Sequence, residues 1–353
     1  MDMSEITRED LAALFGFSRD AVCAAERGRI VFANDAAVSL FGRDVTGEID
    51  EDVFPGLALS SDGERFLFSV SVQGDELPVT AVRRGRFLVL TAVRTETRSR
   101  GLPESLLHQL RTAVFNLRLS LEHVVPSSAG REDPYEGILF HSYYSMLHLT
   151  EQLSDLTELE NGRLFCRMQP VELGALCAGL VDSVNCLTKC TPVQILYRIP
   201  EEVCHVQADP RKIEQMLLVL LSNSLQHVSA GDRIVLELRR QGKQFILSVD
   251  DTGTGMDEGQ FSRLFLREDP SPAETTGAGL GLYLAHGIAR LHGGTVVMES
   301  RPDKGTRVRI SLPVRDSLSL RDAAAAEAPG MTLLLTELAP VLPSDVYTAR
   351  FRD

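Results

Sequence analysis

The sequence predicts an α+β protein of several domains, because its main stretches carry different apolar periodicities. Residues 8–95 are dominated by short apolar runs that are typical of strands, and residues 101–162 by apolar residues at helical spacing. Residues 171–314 mix both patterns and contain two glycine clusters. The total length of 353 residues allows two or three domains of about 100–200 residues each.

Charge and composition exclude several classes of protein. The net charge of -13 argues against a general nucleic-acid binder, which needs a basic face. No apolar run approaches the ~20 residues that cross a bilayer, and the acidic, polar N-terminus does not resemble a signal peptide. We therefore expect a cytoplasmic protein. The six cysteines form no CxxC pair, so we expect structural thiols. Redox or metal chemistry is the alternative, and Cys186 and Cys190, one helical turn apart, could meet.

The first unit, residues 8–95, begins with two strand-like runs on either side of a tight turn at Arg27-Gly28, followed by a short helix that ends at Gly42. Further strand-like runs follow at residues 65–72, 77–84 and 86–94. This order, together with the stretch GRIVFANDAAVSLFG, resembles a PAS domain. The resemblance implies a sensor of a small-molecule or protein signal; a folded spacer or dimerisation unit is the alternative.

The second unit, residues 101–162, is predicted to be a helical hairpin. Its first helix has apolar residues at steps of four and three, which is close to a heptad pattern: Leu106, Leu110, Ala113, Leu117, Leu121 and Val124. The second helix is expected to start with Asp133 as N-cap and Pro134 at its first position, and to end near Asn161-Gly162. Such a hairpin has too little core of its own, so we expect a homodimer with a four-helix bundle.

His108 lies on the outer face of the first helix. It is two residues from both Leu106 and Leu110, which places it about 200° from each around the helix axis. Thr112 follows one turn later on the same face. The motif HQLRT resembles the phosphoacceptor motif His-Glu-Leu-Arg-Thr of sensor histidine kinases, and the hairpin resembles their dimerisation domain. The resemblance implies that His108 accepts a phosphoryl group and that Thr112 helps to position water for dephosphorylation of the partner. The remaining histidines of the hairpin are expected at the surface or at an interface: His123, His141 and His148.

Two glycine clusters predict a nucleotide site. The sequence DDTGTGM (Asp250–Met256) follows a strand-like run, and GAGLGL (Gly277–Leu282) opens a helical pattern. Glycines let the backbone approach a ligand closely, and the free amides of a helix start attract phosphate. The Asp251 carboxylate can accept hydrogen bonds from an exocyclic amine of a base.

Residues 171–314 resemble the catalytic domain of histidine kinases in the Bergerat ATPase group, which is a two-layer α/β sandwich. The matching boxes are a helix with Asn223, DTGTG, FSRLF, GAGLGL and Gly305-Thr306. The resemblance implies ATP and Mg²⁺, with Asn223 as a Mg²⁺ ligand, Asp251 on the adenine amino group and Thr306 supporting the adenine side. It also implies that glycines shape the adenine pocket, the lid hinge and the phosphate turn: Gly253, Gly255, Gly277, Gly279 and Gly281.

Three positions depart from the family pattern, and each touches the chemistry. Gln109 replaces the carboxylate that follows the phosphoacceptor, and an amide has no useful basicity. Val219 replaces an Asn one turn before Asn223, and Gln226 replaces a Lys that reaches the phosphates. The side chains that could replace this lost charge are Lys212, Arg263 and Arg267.

The resemblance implies a cytosolic sensor histidine kinase. It would phosphorylate His108 with ATP within a homodimer and pass the phosphoryl group to an Asp of a response regulator. The departures leave a second hypothesis open, a kinase-impaired nucleotide-binding scaffold or a phosphatase-biased regulator. A chaperone, mismatch-repair or topoisomerase relative is disfavoured, because those proteins lack the His-bearing hairpin. The sequence assigns no role to the tail, residues 315–353, which would dock on the ATPase unit or bind a partner.

Overall fold

The computed structural model describes residues 11–12, 15–16, 18, 20–55, 57, 65–72, 75–84, 86–92, 110, 114, 117–118, 134–189, 193–256, 280–314 and 329–347. The chain divides into two compact units. The first comprises residues 1–97, 254–275 and 294–311, and the second residues 98–253, 276–293 and 312–353.

The described elements, in chain order, are β1 (Ala21–Glu26), β2 (Arg29–Ala33), α1 (Asp35–Phe41), α2 (Asp50–Val53), β3 (Arg65–Val72), β4 (Asp75–Arg84), β5 (Phe87–Ala92), α3 (Pro134–Glu160), β6 (Gln169–Glu172), α4 (Leu173–Leu187), β7 (Ile195–Arg198), β8 (His205–Ala208), α5 (Pro210–His227), β9 (Ile234–Gln241), β10 (Gln244–Asp251), α6 (Leu280–Leu291), β11 (Val296–Arg301), β12 (Gly305–Pro313), α7 (Met331–Glu337) and a 3₁₀ turn (Ser344–Tyr347).

The first unit is built on an antiparallel sheet in the order β2-β1-β5-β4-β3, and β11 pairs with the edge strand β3. β11 in turn forms a hairpin with β12. The predicted turn between β1 and β2 is present, with positive φ at both Arg27 and Gly28, as a two-residue hairpin turn requires. The short helix α1 ends at Gly42 in the left-handed conformation, as predicted. The mixed α/β fold class is confirmed.

Asn34 ties the start of α1 to the sheet. Its side-chain oxygen accepts hydrogen bonds from the backbone amides of Val22 and Ala37, at 3.0 and 2.9 Å. Its amide nitrogen donates to the carbonyl oxygens of Phe15 and Asp20, at 3.1 and 2.9 Å. This buried side chain therefore satisfies its own hydrogen-bonding groups and caps the helix at once.

The second unit packs helices α4, α5 and α6 with strands β7, β9 and β10, while β6 and β8 form a separate two-stranded sheet. β7 runs parallel to β9, and β9 is antiparallel to β10. α5 has Asp209 as its N-cap, which accepts from the Lys212 amide, and Pro210 at its first position.

Helix α3 is the second helix of the predicted hairpin. It begins at Pro134, and Asn161-Gly162 follow its last residue as a turn, with positive φ at Gly162. The predicted cap Asp133 and most of the first hairpin helix lie outside the described residues. Among the helices that the structure describes, none combines the length and apolar character of a membrane span.

His148 is only 8% exposed, so of its two expected positions, the surface or an interface, the structure excludes the surface. It is covered by residues of the chain's own C-terminal segment, whose contacts are described below. His141 lies beside the same segment and is half-buried. His123 lies outside the described residues.

We predict that Asn34→Ala destabilises the first unit by roughly 2–3 kcal/mol, because it removes a helix cap and leaves buried backbone groups unpaired. Urea unfolding followed by far-UV circular dichroism measures this change. Ser18→Ala is the matched control, since Ser18 makes one exposed local hydrogen bond to the Asp20 amide. Equal unfolding midpoints for the two variants would contradict the prediction.

Candidate nucleotide site

Asp251 is the centre of the candidate site in the second unit. It is the last residue of β10, it is only 8% exposed, and its carboxylate is held on two sides. Oδ2 accepts a hydrogen bond from the Ser224 hydroxyl at 3.0 Å, and Oδ1 accepts from the Gly253 amide at 3.1 Å. Such hydrogen bonds stabilise the ionised carboxylate and fix its orientation.

The glycine turn after Asp251 lies against the end of α5. A Cβ atom at Gly253 would collide with the backbone carbonyl of His227, which is the last residue of α5. Thr252 holds the same turn from the other side: its hydroxyl donates to Asp232 at 2.9 Å and accepts from the Arg233 amide at 3.1 Å. Only glycine fits at position 253 without displacing backbone atoms.

α5 carries both Ser224 and Asn223, so one helix positions the partner of Asp251 and the predicted Mg²⁺ ligand. Asn223 is half-buried near the C-terminal end of the helix. Among the described residues, no group of three His, Cys, Asp or Glu side chains could hold a metal ion. A metal at Asn223 would therefore need other ligands, and Mg²⁺ commonly takes phosphate oxygens and water.

Val219 is part of the packing between α5 and α6. A Cβ atom on Gly281 would lie 2.8 Å from Val219 Cγ1 and 3.5 Å from Gln152 Nε2 of α3. Val219 itself is buried. The apolar replacement of the family Asn thus fills space beneath α6, and Gly281 lets the two helices approach.

Lys212 does not replace the missing phosphate-binding charge, which corrects one of our candidates. Its ammonium group donates to Asp155 Oδ2 at 2.9 Å and to Gln215 Oε1 at 3.0 Å. It also lies eleven residues before Asn223 on the same helix, or about 16 Å along the axis. Its charge is used in an ion pair with α3, far from the predicted Mg²⁺ ligand.

A buried histidine joins the start of α5 to the end of α6. Asp209 donates its backbone N–H to His292 Nε2 at 3.0 Å, and His292 Nδ1 lies 2.8 Å from the Ile288 carbonyl oxygen, to which it donates. These two contacts require the neutral ring with its proton on Nδ1. His292 therefore links α5, which carries the predicted metal ligand, to α6, which follows the predicted phosphate turn.

Two other residues that the sequence predicts to be functional, Gly255 and Thr306, lie in the first unit. Gly255 has φ of 61°, and a Cβ atom there would collide with the Arg301 carbonyl. The Thr306 hydroxyl lies 2.9 Å from Ser300 Oγ, which also accepts from the Met256 amide at 3.0 Å. Ser300 thus connects the glycine turn to the Gly305-Thr306 box within this unit.

Sequence reasoning missed Ser224 and Ser300. Neither belongs to a recognisable motif, and each is identified only by its contact with a residue distant in sequence. The other predicted residues of the chemistry lie outside the described residues: His108, Gln109, Thr112, Gly277, Gly279, Arg263 and Arg267.

Two stretches match models of known families. Residues 208–316 match the family described as histidine kinase-, DNA gyrase B- and HSP90-like ATPase. Residues 9–72 match the PAS domain family. The stretch around the candidate site is thus similar to ATPases of that family, and the start of the first unit is similar to PAS domains.

Two curated relatives are a sensor protein and a sensory kinase. The alginate biosynthesis sensor protein KinB of Pseudomonas aeruginosa is 29% identical over 289 residues, which cover 76% of this chain and 46% of that protein. The adaptive-response sensory kinase SasA of Prochlorococcus marinus is 32% identical over 167 residues, covering 45% of each chain. This chain therefore spans less than half the length of these two relatives. The solved histidine kinase AdeS of Acinetobacter baumannii is 21% identical with a TM-score of 0.42, covering 59% of this chain and 98% of that one.

We predict that Gly253→Ala weakens nucleotide binding, because the added methyl group displaces the turn that orients Asp251. Binding of a fluorescent ATP analogue measures the loss, which we expect to exceed about tenfold in Kd, the effect of ~1.4 kcal/mol. Gly179→Ala is the matched control, since a Cβ atom at that position of α4 meets nothing within 4 Å. Unchanged affinity in Gly253→Ala would show that the turn does not form part of the site.

Proposed function

We propose, from the premise that this chain carries a PAS domain and a histidine-kinase-type ATPase domain and is homologous to sensor kinases, that it is an ATP-dependent protein-histidine kinase. It phosphorylates His108 and passes the phosphoryl group to an aspartate of a response regulator. The observation that carries the proposal is the buried Asp251 carboxylate, oriented by Ser224 and Gly253 within the matched ATPase stretch. The motif HQLRT upstream supplies the acceptor.

Asp251 recognises the base of the nucleotide. An ionised carboxylate accepts hydrogen bonds but donates none, so it favours an exocyclic amine such as that of adenine. A base with a carbonyl at the same position would place two acceptors face to face. A site built around a buried polar group rejects such an analogue strongly, because the group would be left unpaired.

Asn223 is the proposed protein ligand of Mg²⁺, with phosphate oxygens and water completing the coordination. When bound, the ion neutralises charge on the phosphates as the phosphoryl group is transferred. The proposed phosphate turn is formed by Gly277, Gly279 and Gly281. Gly255 and Thr306 are proposed to line the adenine side of the nucleotide.

The transfer itself forms a bond between an imidazole nitrogen of His108 and the γ-phosphorus, and breaks the bond between that phosphorus and the ADP oxygen. The His proton must leave, and the amide of Gln109 is a poor acceptor for it. Absence of a positioned general base commonly costs about 10²–10⁴ in rate. Val219 also removes a polar group, and Gln226 removes a positive charge, from the proposed phosphate side, so we propose slow autophosphorylation.

The remaining parts of the proposal concern organisation. We propose four regions: a sensor domain at 8–95, a dimerisation and phosphotransfer hairpin at 101–162, the ATPase domain at 171–314 and a tail at 315–353. The chain acts as a homodimer in the cytoplasm, with a signal received at the PAS domain and a response regulator docking on the hairpin. Thr112 supports removal of the phosphoryl group from that regulator.

A second function is a kinase-impaired nucleotide-binding scaffold or a phosphatase-biased regulator. It is favoured by the burial of Val219 against α6 and by the ion pair that occupies Lys212. In this function ATP binding changes the affinity for a partner, and no phosphohistidine accumulates.

Incubation with γ-labelled ATP and Mg²⁺ distinguishes the two functions. We predict an acid-labile, base-stable label on the wild-type chain and its loss in His108→Ala. His123→Ala is the matched control and should retain the label. A wild-type chain that binds ATP but takes up no label, or a label that persists in His108→Ala, would overturn the kinase proposal.

We also predict that Gln109→Glu raises the rate of labelling by roughly 10²-fold, because a carboxylate can take the imidazole proton. Gln109→Asn serves as control, since it changes the side-chain length without adding basicity. Initial rates at saturating ATP isolate the chemical step from binding. Equal rates for Gln109→Glu and the wild type would show that proton removal does not limit the reaction.

A further inference from the structure

The C-terminal segment, residues 329–347, folds onto the helices of the second unit. Most of its apolar side chains are buried, and they include Leu334, Leu335, Leu338, Ala339, Leu342, Val346 and Tyr347. So short a segment cannot enclose these side chains by itself, since small folds bury too little of their own surface. The segment contacts two helices in particular, α3 of the predicted hairpin and α5 of the candidate site.

The contact with α3 is made by aromatic rings. The Tyr347 ring lies 5.4 Å from that of Tyr144 and 5.1 Å from the imidazole of His141, between ring centroids. His141 Nε2 also lies 3.0 Å from the Ala339 carbonyl oxygen, which can only accept. The Tyr347 hydroxyl donates to the Leu335 carbonyl oxygen at 2.9 Å, which fixes the fold of the segment itself. Burial raises the pKa of Tyr347, consistent with a ring enclosed between the segment and α3.

A single carboxylate reaches both helices. Glu337 is 1% exposed. Its Oε1 accepts from Gln215 Nε2 of α5 at 3.2 Å, and its Oε2 lies 3.4 Å from His148 Nδ1 of α3. Gln215 Nε2 also donates to Asp155 Oδ2 at 2.9 Å, so the same amide joins α5 to α3 directly. The C-terminal segment thus takes part in a polar interface between α3 of the predicted hairpin and α5 of the candidate site.

This interface is polar and imperfectly paired, unlike the apolar core around it. At 3.4 Å, Glu337 and His148 are in electrostatic contact without a well-aligned hydrogen bond. The buried Thr336 hydroxyl has no hydrogen-bond partner among the described residues. Buried polar groups that are incompletely paired cost free energy. Ring and apolar contacts therefore hold the segment in place, while the incompletely paired polar groups reduce the free energy of its binding. A segment held in this way can be released.

Helix α3 also contacts α6, the helix that carries Gly281 and Gly287. A Cβ atom on Gly287 of α6 would collide with the Leu159 side chain of α3. Gln152 of α3 lies near Gly281, as described above. α3 is thus packed on α6, the helix that follows the proposed phosphate turn, while the C-terminal segment contacts α3 and α5.

We propose that the C-terminal segment is an autoinhibitory clamp that holds the ATPase helices against α3. The inference rests on the proposed function. In that reaction His108 first contacts ATP on the ATPase domain and then a response regulator. The ATPase domain and the regulator cannot both be next to His108 at the same time. The ATPase domain must therefore move relative to the hairpin, and a segment bound to both opposes the movement. Release of the segment increases the rate of phosphorylation of His108.

The test uses a chain that lacks residues 331–353, compared with the full chain. Hydrogen–deuterium exchange of α3 between residues 138 and 150 reports clamp binding without any need for kinase activity. We expect faster exchange there in the truncated chain, and initial labelling rates that are about fivefold higher or more, the low end of ordinary coupling between sites. A synthetic peptide of residues 331–353 should restore both slower exchange and slower labelling.

Point variants guard against misfolding of the truncated chain. Tyr347→Ala removes the ring that contacts His141 and Tyr144 of α3. It should show the same faster exchange and faster labelling as the truncated chain. Met331→Ala is the matched control, because Met331 lies on the same segment but is 40% exposed. It should behave as the full chain does.

The outcomes separate the clamp from the kinase proposal. Unchanged exchange in α3 overturns the clamp, and faster exchange with equal or slower labelling overturns its inhibitory role. If only the released chains take up label, the clamp is supported in its strongest form. If no chain takes up label while ATP still binds, the proposed function and the inhibition fail together, and exchange in α3 still decides whether the segment holds the helix.

Discussion

The close approach of the glycine turn at Gly253 to the end of α5 is the constraint on which the candidate site depends. Because the turn passes directly against the His227 carbonyl, Asp251 lies beside the last turns of α5, where Ser224 can reach it. The same helix carries Asn223, so one backbone contact sets the spacing between the carboxylate that we propose to recognise the base and the predicted metal ligand. His292 then holds the far end of α5 to α6.

Much of this arrangement could be predicted from the sequence, because its signals are local. The strand before Asp251, the cap at Asp209 with Pro210, and the glycine at position 253 each depend on neighbouring residues. Ser224 could not be predicted, since a serine next to Asn223 carries no signal until the strand and helix are packed. The contact between His141 and Ala339 joins residues that are 198 apart in sequence, and no pattern within either segment points to the other.

The departures from the kinase pattern have different physical consequences. Val219 is compensated structurally, because its side chain fills the space between α5 and α6. Lys212, in contrast, supplies a positive charge, but that charge forms an ion pair with Asp155. In the proposed site, the residues assigned to the base are therefore well supported, while the side assigned to the phosphates has lost a polar group and a positive charge. If these assignments hold, substitutions can separate nucleotide binding from phosphoryl transfer, since the two depend on different residues.

The pairing of β3 with β11 bears on how this chain can be divided for study. Both are edge strands of antiparallel ladders, and Val297 of β11 lies opposite Phe68 of β3. Each strand hides the unpaired amides and carbonyls of the other, and exposed edges of this kind recruit foreign strands into aggregates. Phe66 and Phe68 on β3 are fully buried and stacked. A fragment that contains β3 but not β11 would expose an unpaired strand edge that promotes aggregation. Aggregation of an isolated PAS fragment would therefore reflect the lost strand pairing and not an unstable sensor fold.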